Sequence, residues 1–286
     1  MLKRQTSGSV VCPSCGRLVG VNDQRCFSCG RWNPGLWGYA PLLTKLGGDA
    51  GFAQLVTIGC AVLYLVTLLL DPSRIRLPDK PSLGALFGFL SPGLPQLFLF
   101  GASGAQPVFG YQRWWTVLSA SWLHGSLLHV ALNLYYVRIF APHVEARFGF
   151  GRLVIIYTAA SAAGFGLTSV AGLLPLPGLL AGAPFTVGAS APLFGLLGAL
   201  VVGGSRAQVQ QVVQVIVILG VIGFLGGLGI DNWAHLGGFA GGYFTARWLN
   251  PWRPETQGHV LAALGCLALT AAAILLSIVT GLRYLG

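Results

Sequence analysis

The chain has 286 residues, 54% of them hydrophobic and only 8% charged, and its mean hydropathy is +0.72. No ordinary soluble domain combines these values with an Asp+Glu total of 7, so the composition predicts a polytopic membrane protein. A net charge of +10 would suggest nucleic-acid binding in a soluble chain; here the basic residues stand mostly at the ends of apolar runs and report topology.

The first element is a pair of knuckles, Cys12-Pro13-Ser14-Cys15-Gly16 and Cys26-Phe27-Ser28-Cys29-Gly30. Two tight CxxCG turns at this spacing can present four thiolates to one zinc ion, with no coordination position left open for catalysis. Residues 1–33 are therefore expected to form a cytosolic, independent zinc ribbon serving a partner that the sequence does not identify, followed by a linker over 34–51. Arg17, Arg25 and Arg31 read as a solvated positive face rather than an RNA contact, and Cys60 and Cys266, inside apolar runs, as small hydrophobes. The first apolar run starts only near Phe52, so no cleavable signal peptide is expected.

Seven apolar stretches of spanning length follow, at about 52–70, 120–139, 152–172, 185–204, 209–229, 231–249 and 259–281. The apolar segment 83–110 is broken by Pro92, Pro95 and Pro107 and is expected to lie in the interface rather than cross. With the N-terminus inside, Lys3, Arg4, Arg17, Arg25, Arg31, Lys45, Arg138, Arg147, Arg152, Arg206, Arg247 and Arg253 share the inner side, against Arg74, Arg76, Lys80, Arg113 and Arg283 outside. The fourth and sixth runs then both enter from the outer face, carrying Ser190 and His235 about five residues in, a depth of roughly 7–8 Å.

Polar groups inside these runs are the functional candidates. His129 and Asn133, four residues apart, share a helix face and can aim two donors at one point, as an oxyanion requires; His124 lies higher and can hold a loop. In Gly188-Ala189-Ser190-Ala191-Pro192, the serine is either a helix cap or a nucleophile. After His235, Gly237/Gly241 and Gly238/Gly242 form two GxxxG pairs, and Gly195, Ala199 and Gly203 make a small-residue stripe after Ser190. Packing through these faces would bring serine and histidine together. Asp231 shares the His235 face near the water boundary, so a triad is possible, but a Ser–His dyad is expected.

The ordered set HGSLLHVALN, GAS followed by FGLLGAL, and AHLGGFAGG resembles the rhomboid intramembrane serine proteases over roughly residues 52–250, together with Arg113-Trp114-Trp115-Thr116 and Glu145-Ala-Arg147-Phe-Gly149. The resemblance implies an all-α, six-helix membrane core, with the seventh run (251–286) and the ribbon outside it. It implies Ser190 as nucleophile, His235 as base, His129, Asn133 and the Ser190 amide as oxyanion donors, Gly188 in the serine turn and Phe194 packed on the histidine. Substrates would be transmembrane segments with locally weak helix, cut near the outer boundary of a bacterial-type inner membrane. Where the family reads GxSG, this chain has Ala191 after the serine. The alternative reading is a catalytically inactive rhomboid-like protein that binds membrane helices, for which Ala191 is the only sequence support. A transporter would require paired intramembrane charges or an inverted repeat, and the sequence has neither.

Overall fold

The computed structural model describes residues 4–12, 15–40, 51–75, 85, 88–225 and 230–285. Lys3, Lys45, Arg76 and Lys80, the knuckle residues Pro13 and Ser14, linker residues 41–50 and the end of the fifth run at 226–229 lie outside them.

The ribbon is built on a two-stranded antiparallel hairpin, β1 (Ser9–Val11) and β2 (Leu18–Gly20). Its packed unit runs on past residue 33: Ala40 is buried with Val10, Val19 and Val21, Leu36 packs on the same cluster, and the Gln5 amide donates to the Gly38 carbonyl. A hairpin this short cannot bury its own apolar face, so it recruits the segment read as linker.

Among the described residues, nine α-helices follow: α1 (Phe52–Leu69), α2 (Leu94–Phe100), α3 (Thr116–Ser119), α4 (Leu127–Phe148), α5 (Phe150–Ala171), α6 (Ser190–Val201), α7 (Arg206–Leu225), α8 (Asn232–Leu249) and α9 (Gln257–Leu285). Each of the seven predicted runs is built around one of them. Among the described residues, α1, α5 and α9 are long and apolar enough to cross a membrane by length and composition alone. The described part of 83–110 folds as α2 and a π-helical turn at Gln106–Gly110, neither long enough to span.

Two runs begin later than their apolar pattern suggests. α4 starts at Leu127 rather than near 120, because Ser126 caps it by accepting the His129 N–H at 3.2 Å. α6 has only 12 residues, about 18 Å, against roughly 30 Å of hydrocarbon. The non-helical backbone leading into it is tolerated at that depth because protein surrounds it and satisfies its polar groups.

The apolar surfaces reveal the solvent. On α1, Val56, Cys60 and Tyr64 are buried while Leu55, Ile58, Val62 and Leu65 are exposed on the opposite side, and α7 and α9 likewise turn leucines and valines outward. A helix apolar all round, with one face open, matches lipid rather than water.

α8 packs between α5 and α6. The two GxxxG pairs divide the work. A methyl at Gly238 or Gly242 would collide with the carbonyl oxygens of Ala191 and Gly195 on α6, while one at Gly237 would stand 2.7 Å from the Ala163 oxygen of α5. The stripe on α6 is Gly195 and Gly198 rather than Gly195, Ala199 and Gly203; Gly203 lies past the helix end, against Trp252.

One end of the bundle is held by arginines that collect helix C-terminal carbonyls, the negative ends of the dipoles. Arg147 donates to Leu200 O (2.7 Å) and Val202 O (3.0 Å). Arg152, fully buried, reaches Phe148 O, Leu249 O (3.2 Å), Asn250 O (3.0 Å) and Arg253 O (2.9 Å). At the other end α9, built on the seventh apolar run, receives the buried Arg113, which donates to Phe98 O (2.8 Å) and Ser277 O (2.7 Å), while the Trp115 indole N–H donates to Ser277 Oγ at 3.1 Å. The extra helix thus braces the first loop.

Candidate functional site: a serine–histidine cavity

The segment before Ser190 is fastened like a strand. Ser103 and Thr186 exchange backbone hydrogen bonds (3.0 and 2.8 Å), and the Gly188 amide donates to Ala120 O at 3.0 Å. The Ala189 amide donates to His124 Nε2 at 3.4 Å. His124, fully buried, therefore holds the serine loop and does not line the cavity. Gly188 has φ +136°, and an added Cβ would stand 2.7 Å from His129 Nε2, so both its conformation and the ring beside it require glycine.

Ser190 is the first residue of α6, preceded by Ala189 in the capping position, and its hydroxyl makes no hydrogen bond among the described residues. The capping role is thus not the one it fills. His235 lies in the first turn of α8, its ring stacked on Phe194 with centroids 4.2 Å apart and planes within 4°. Stacking fixes the plane of the imidazole, which lines the cavity.

Asp231 is the N-cap of α8: Oδ1 accepts the Ala234 amide at 3.0 Å, and Oδ2 is buried with no hydrogen-bond partner among the described residues. It makes no side-chain bond to His235, which favours the dyad over the triad. Since Asn is as good a cap as Asp, Asp231→Asn is expected to change turnover only a few-fold, whereas a true triad acid would cost on the order of 10⁴. A steady-state kcat comparison decides between them.

His129 and Asn133 sit in the first two turns of α4. His129 Nδ1 accepts the Gly125 N–H at 3.4 Å, which assigns the ring proton to Nε2, the nitrogen beside Gly188. Asn133 is 5% exposed, and its Nδ2 is a buried donor with no partner among the described residues. Such a donor is costly unless something in the reaction uses it.

Ser190, His235, His129, Asn133, Phe194 and Asp231 all line one cavity of about 310 Å³. The sequence reading missed Leu132 and Tyr136 on its α4 wall, Phe165 on α5, and Thr186 and Val187 on the serine segment. The α4 pair was legible, because positions 129, 132, 133 and 136 follow the i, i+3, i+4, i+7 rule of one helix face. Phe165 had no local signal.

Ala191 does not line the cavity. It is fully buried beside Ala120, Phe165 and Ala234, and its methyl faces Gly164 of α5, where an added Cβ would lie 2.9 Å away. The extra methyl fills a helix–helix contact and does not face the cavity. Ala191→Gly is expected to leave turnover within about twofold while lowering stability by on the order of 1 kcal/mol, the helix cost of glycine. Kinetics and thermal melts on the same preparation test both halves.

The second cluster lies in the ribbon. The knuckles repeat one hydrogen-bond pattern: Cys12 N to Arg17 O and Gly16 N to Cys12 O, then Cys26 N to Arg31 O and Gly30 N to Cys26 O, all 2.8 or 2.9 Å. The Sγ atoms of Cys12, Cys15, Cys26 and Cys29 lie within 4.8 Å of one another, with Cys12–Cys29 at 3.7 Å and Cys15–Cys26 at 3.6 Å. A disulfide needs about 2.05 Å. A tetrahedron of thiolates about 2.3 Å from a central ion has edges near 3.8 Å, so the four cysteines can bind a metal ion. Without an ion the cluster splits: the Arg17 backbone N–H holds the exposed Cys15 thiol down to about 7, while burial pushes the Cys29 thiol up to about 12.

Residues 111–252 match the Rhomboid domain family, a stretch holding every residue of the serine–histidine cavity and neither the ribbon nor α9. The chain is 33% identical over 113 residues to RHOMBOID-like protein 6, mitochondrial, of Arabidopsis thaliana, covering 40% of this chain and 34% of that protein. It is 32% identical over 161 residues to RHOMBOID-like protein 4 of the same plant (54% and 39%) and 30% identical over 198 residues to Rhomboid protease GluP of Bacillus subtilis strain 168 (66% and 35%). The chain thus spans little more than a third of the length of each of these relatives. With the helical bundle, its lipid-facing helices and the matched domain in agreement, the chain belongs to the rhomboid family of membrane proteins.

Proposed function

We propose that this protein is an intramembrane serine endopeptidase in which Ser190 attacks a peptide carbonyl of a transmembrane substrate and His235 takes the serine proton and returns it to the leaving amine. The observation that carries the reading is the convergence of Ser190, His235, His129 and Asn133, from three helices, on one cavity. His129 Nε2–H, Asn133 Nδ2–H and the Ser190 amide, an N-terminal helix donor with no intrahelical acceptor, face the place where the carbonyl oxygen gains charge. Phe194 holds the base in plane. The name of the relative GluP as a rhomboid protease supports the same chemistry. The substrate must expose a carbonyl that its own helix would otherwise bond, so segments weakened by Gly, Pro or small residues are the expected class. Purified protein given single-span reporters, one with a Gly-rich segment and one with a continuous Leu helix, should cleave the first; failure on every weakened reporter would leave the helix-binding alternative.

Arg31, Arg147, Arg152 and Arg253 gather at the ribbon end, which supports that end as cytosolic and the cavity as opening toward the outer face of a bacterial-type inner membrane. The metal is assigned as structural zinc. All-cysteine donors at tetrahedral spacing favour it, and a closed four-thiolate set leaves no position for a reacting group. One zinc per chain is the expected stoichiometry, and Cys29→Ser is expected to release it; elemental analysis of both proteins is the check.

A further inference from the structure

Two residues leaving the second knuckle, Arg31 and Asn33, join the ribbon to the bundle, with Trp32 buried between them in the chain. Arg31 Nη2 stands 2.6 Å from Glu145 Oε1, in an ion pair whose side chains are only 6% and 12% exposed. Trp32 is buried, with the Arg25 guanidinium stacked 3.8 Å over its ring. Asn33 Nδ2 donates to Glu255 O at 3.3 Å. The ribbon expected to be an independent module is docked.

The residues it docks on are structural joints. Glu145 lies in the last turn of α4, and its own carbonyl accepts the Gly149 amide at 2.8 Å, where the chain turns into α5. The Glu255 carboxylate, 4% exposed, accepts the Arg152 amide at 3.1 Å and so caps the N-terminus of α5 from a distant loop. Burial raises the Glu255 carboxyl above its usual range, against the lowering effect of that amide and of Arg152. A carboxylate in the last turn of a helix is disfavoured by the dipole and, when buried, needs a cation. For Glu145 that cation comes from the ribbon.

The position of Arg31 depends on the knuckle. Its carbonyl accepts the Cys26 amide at 2.8 Å, and Trp32 bridges to Arg25 across the same turn, so closure of the knuckle sets the register of Arg31 and Asn33 on either side of Trp32. The ribbon's buried cluster is a few valines, an alanine and the cysteines themselves, too small a core to keep that closure without the ion.

We propose that the ribbon is a metal-dependent latch on the α4–α5 junction: with the ion bound, Arg31 and Asn33 clamp Glu145 and the Glu255 loop, and on metal loss the ribbon undocks and the junction loosens. The latch rests on the metal reading above and is independent of the protease reading, because its test reads backbone protection rather than cleavage.

The experiment is hydrogen exchange on the full chain in detergent, with metal content measured first, before and after chelation. Chelation is expected to raise exchange at least tenfold in residues 4–40, and also in 145–156 and 250–258, while 186–194 and 231–238 stay as they were. Arg31→Ala should retain its metal yet show the same rise in 145–156 and 250–258. The double exchange Arg31→Glu with Glu145→Arg should recover protection lost in either single variant, which a merely misfolded ribbon would not do. Exchange confined to 4–40 on chelation, or an Arg31→Ala protein protected like wild type, overturns the latch. A purified protein that holds no metal and is protected throughout overturns both the latch and the metal reading.

Discussion

Ser190→Ala is expected to reduce cleavage of a helix-weakened reporter to background, with a fall in kcat on the order of 10⁶, and His235→Ala should fall about as far. The two residues act as one unit: without the base the serine keeps its proton, and without the hydroxyl the base has nothing to activate. Ser190→Ala should also leave the melting temperature unchanged, because the wild-type hydroxyl makes no hydrogen bond among the described residues and none is lost. His235→Ala should melt lower, since it strips Phe194 of a ring stacked at 4.2 Å. Parallel rate and melting measurements separate the chemical loss from the packing loss. Substantial cleavage by either variant would remove the dyad mechanism.

Asn133→Ala carries the second largest expected effect, a fall in kcat of about 10²–10³ with little change in KM, the usual scale for one oxyanion donor. Its stability signature should be distinctive. Asn133 Nδ2 is buried without a partner among the described residues, so the substitution costs no donor bond in the resting protein. A donor held unsatisfied until charge develops is preorganisation, and removing it trades catalysis for little or no stability. His129→Ala should lose turnover by about 10- to 1000-fold and also stability, because its ring accepts the Gly125 amide and packs on Gly188. A rise in KM with unchanged kcat in either variant would reassign the pair to substrate recognition.

Much of the architecture was legible because a bilayer simplifies the code: a helix must be long, apolar and internally bonded to cross it. Apolar length marked the seven runs, and broken apolarity marked 83–110 as non-spanning. Element starts were less legible. The 185–204 run looks uniform, yet helix begins only at Ser190, because Thr186 pairs with Ser103, more than eighty positions earlier in the chain. No local pattern encodes such a partner.

The candidate site divides the same way. Residue types and spacing made His235, His129 and Asn133 conspicuous, since an ionisable or amide side chain in an apolar run stands out and helical periodicity says which share a face, but they left Ser190 as cap or nucleophile, and only the family resemblance assigned its role and added Phe194. The four cysteines were equally plain, because two CxxC turns carry their geometry with them. Only the tertiary structure decided that Ala191 turns its methyl to Gly164, that His124 supports the serine loop instead of lining the cavity, and that Glu145, far from the chemistry, takes its countercharge from Arg31. Each of these depends on which surface meets which across long stretches of chain, a relation fixed by packing and charge pairing in three dimensions that no repeat along the sequence records.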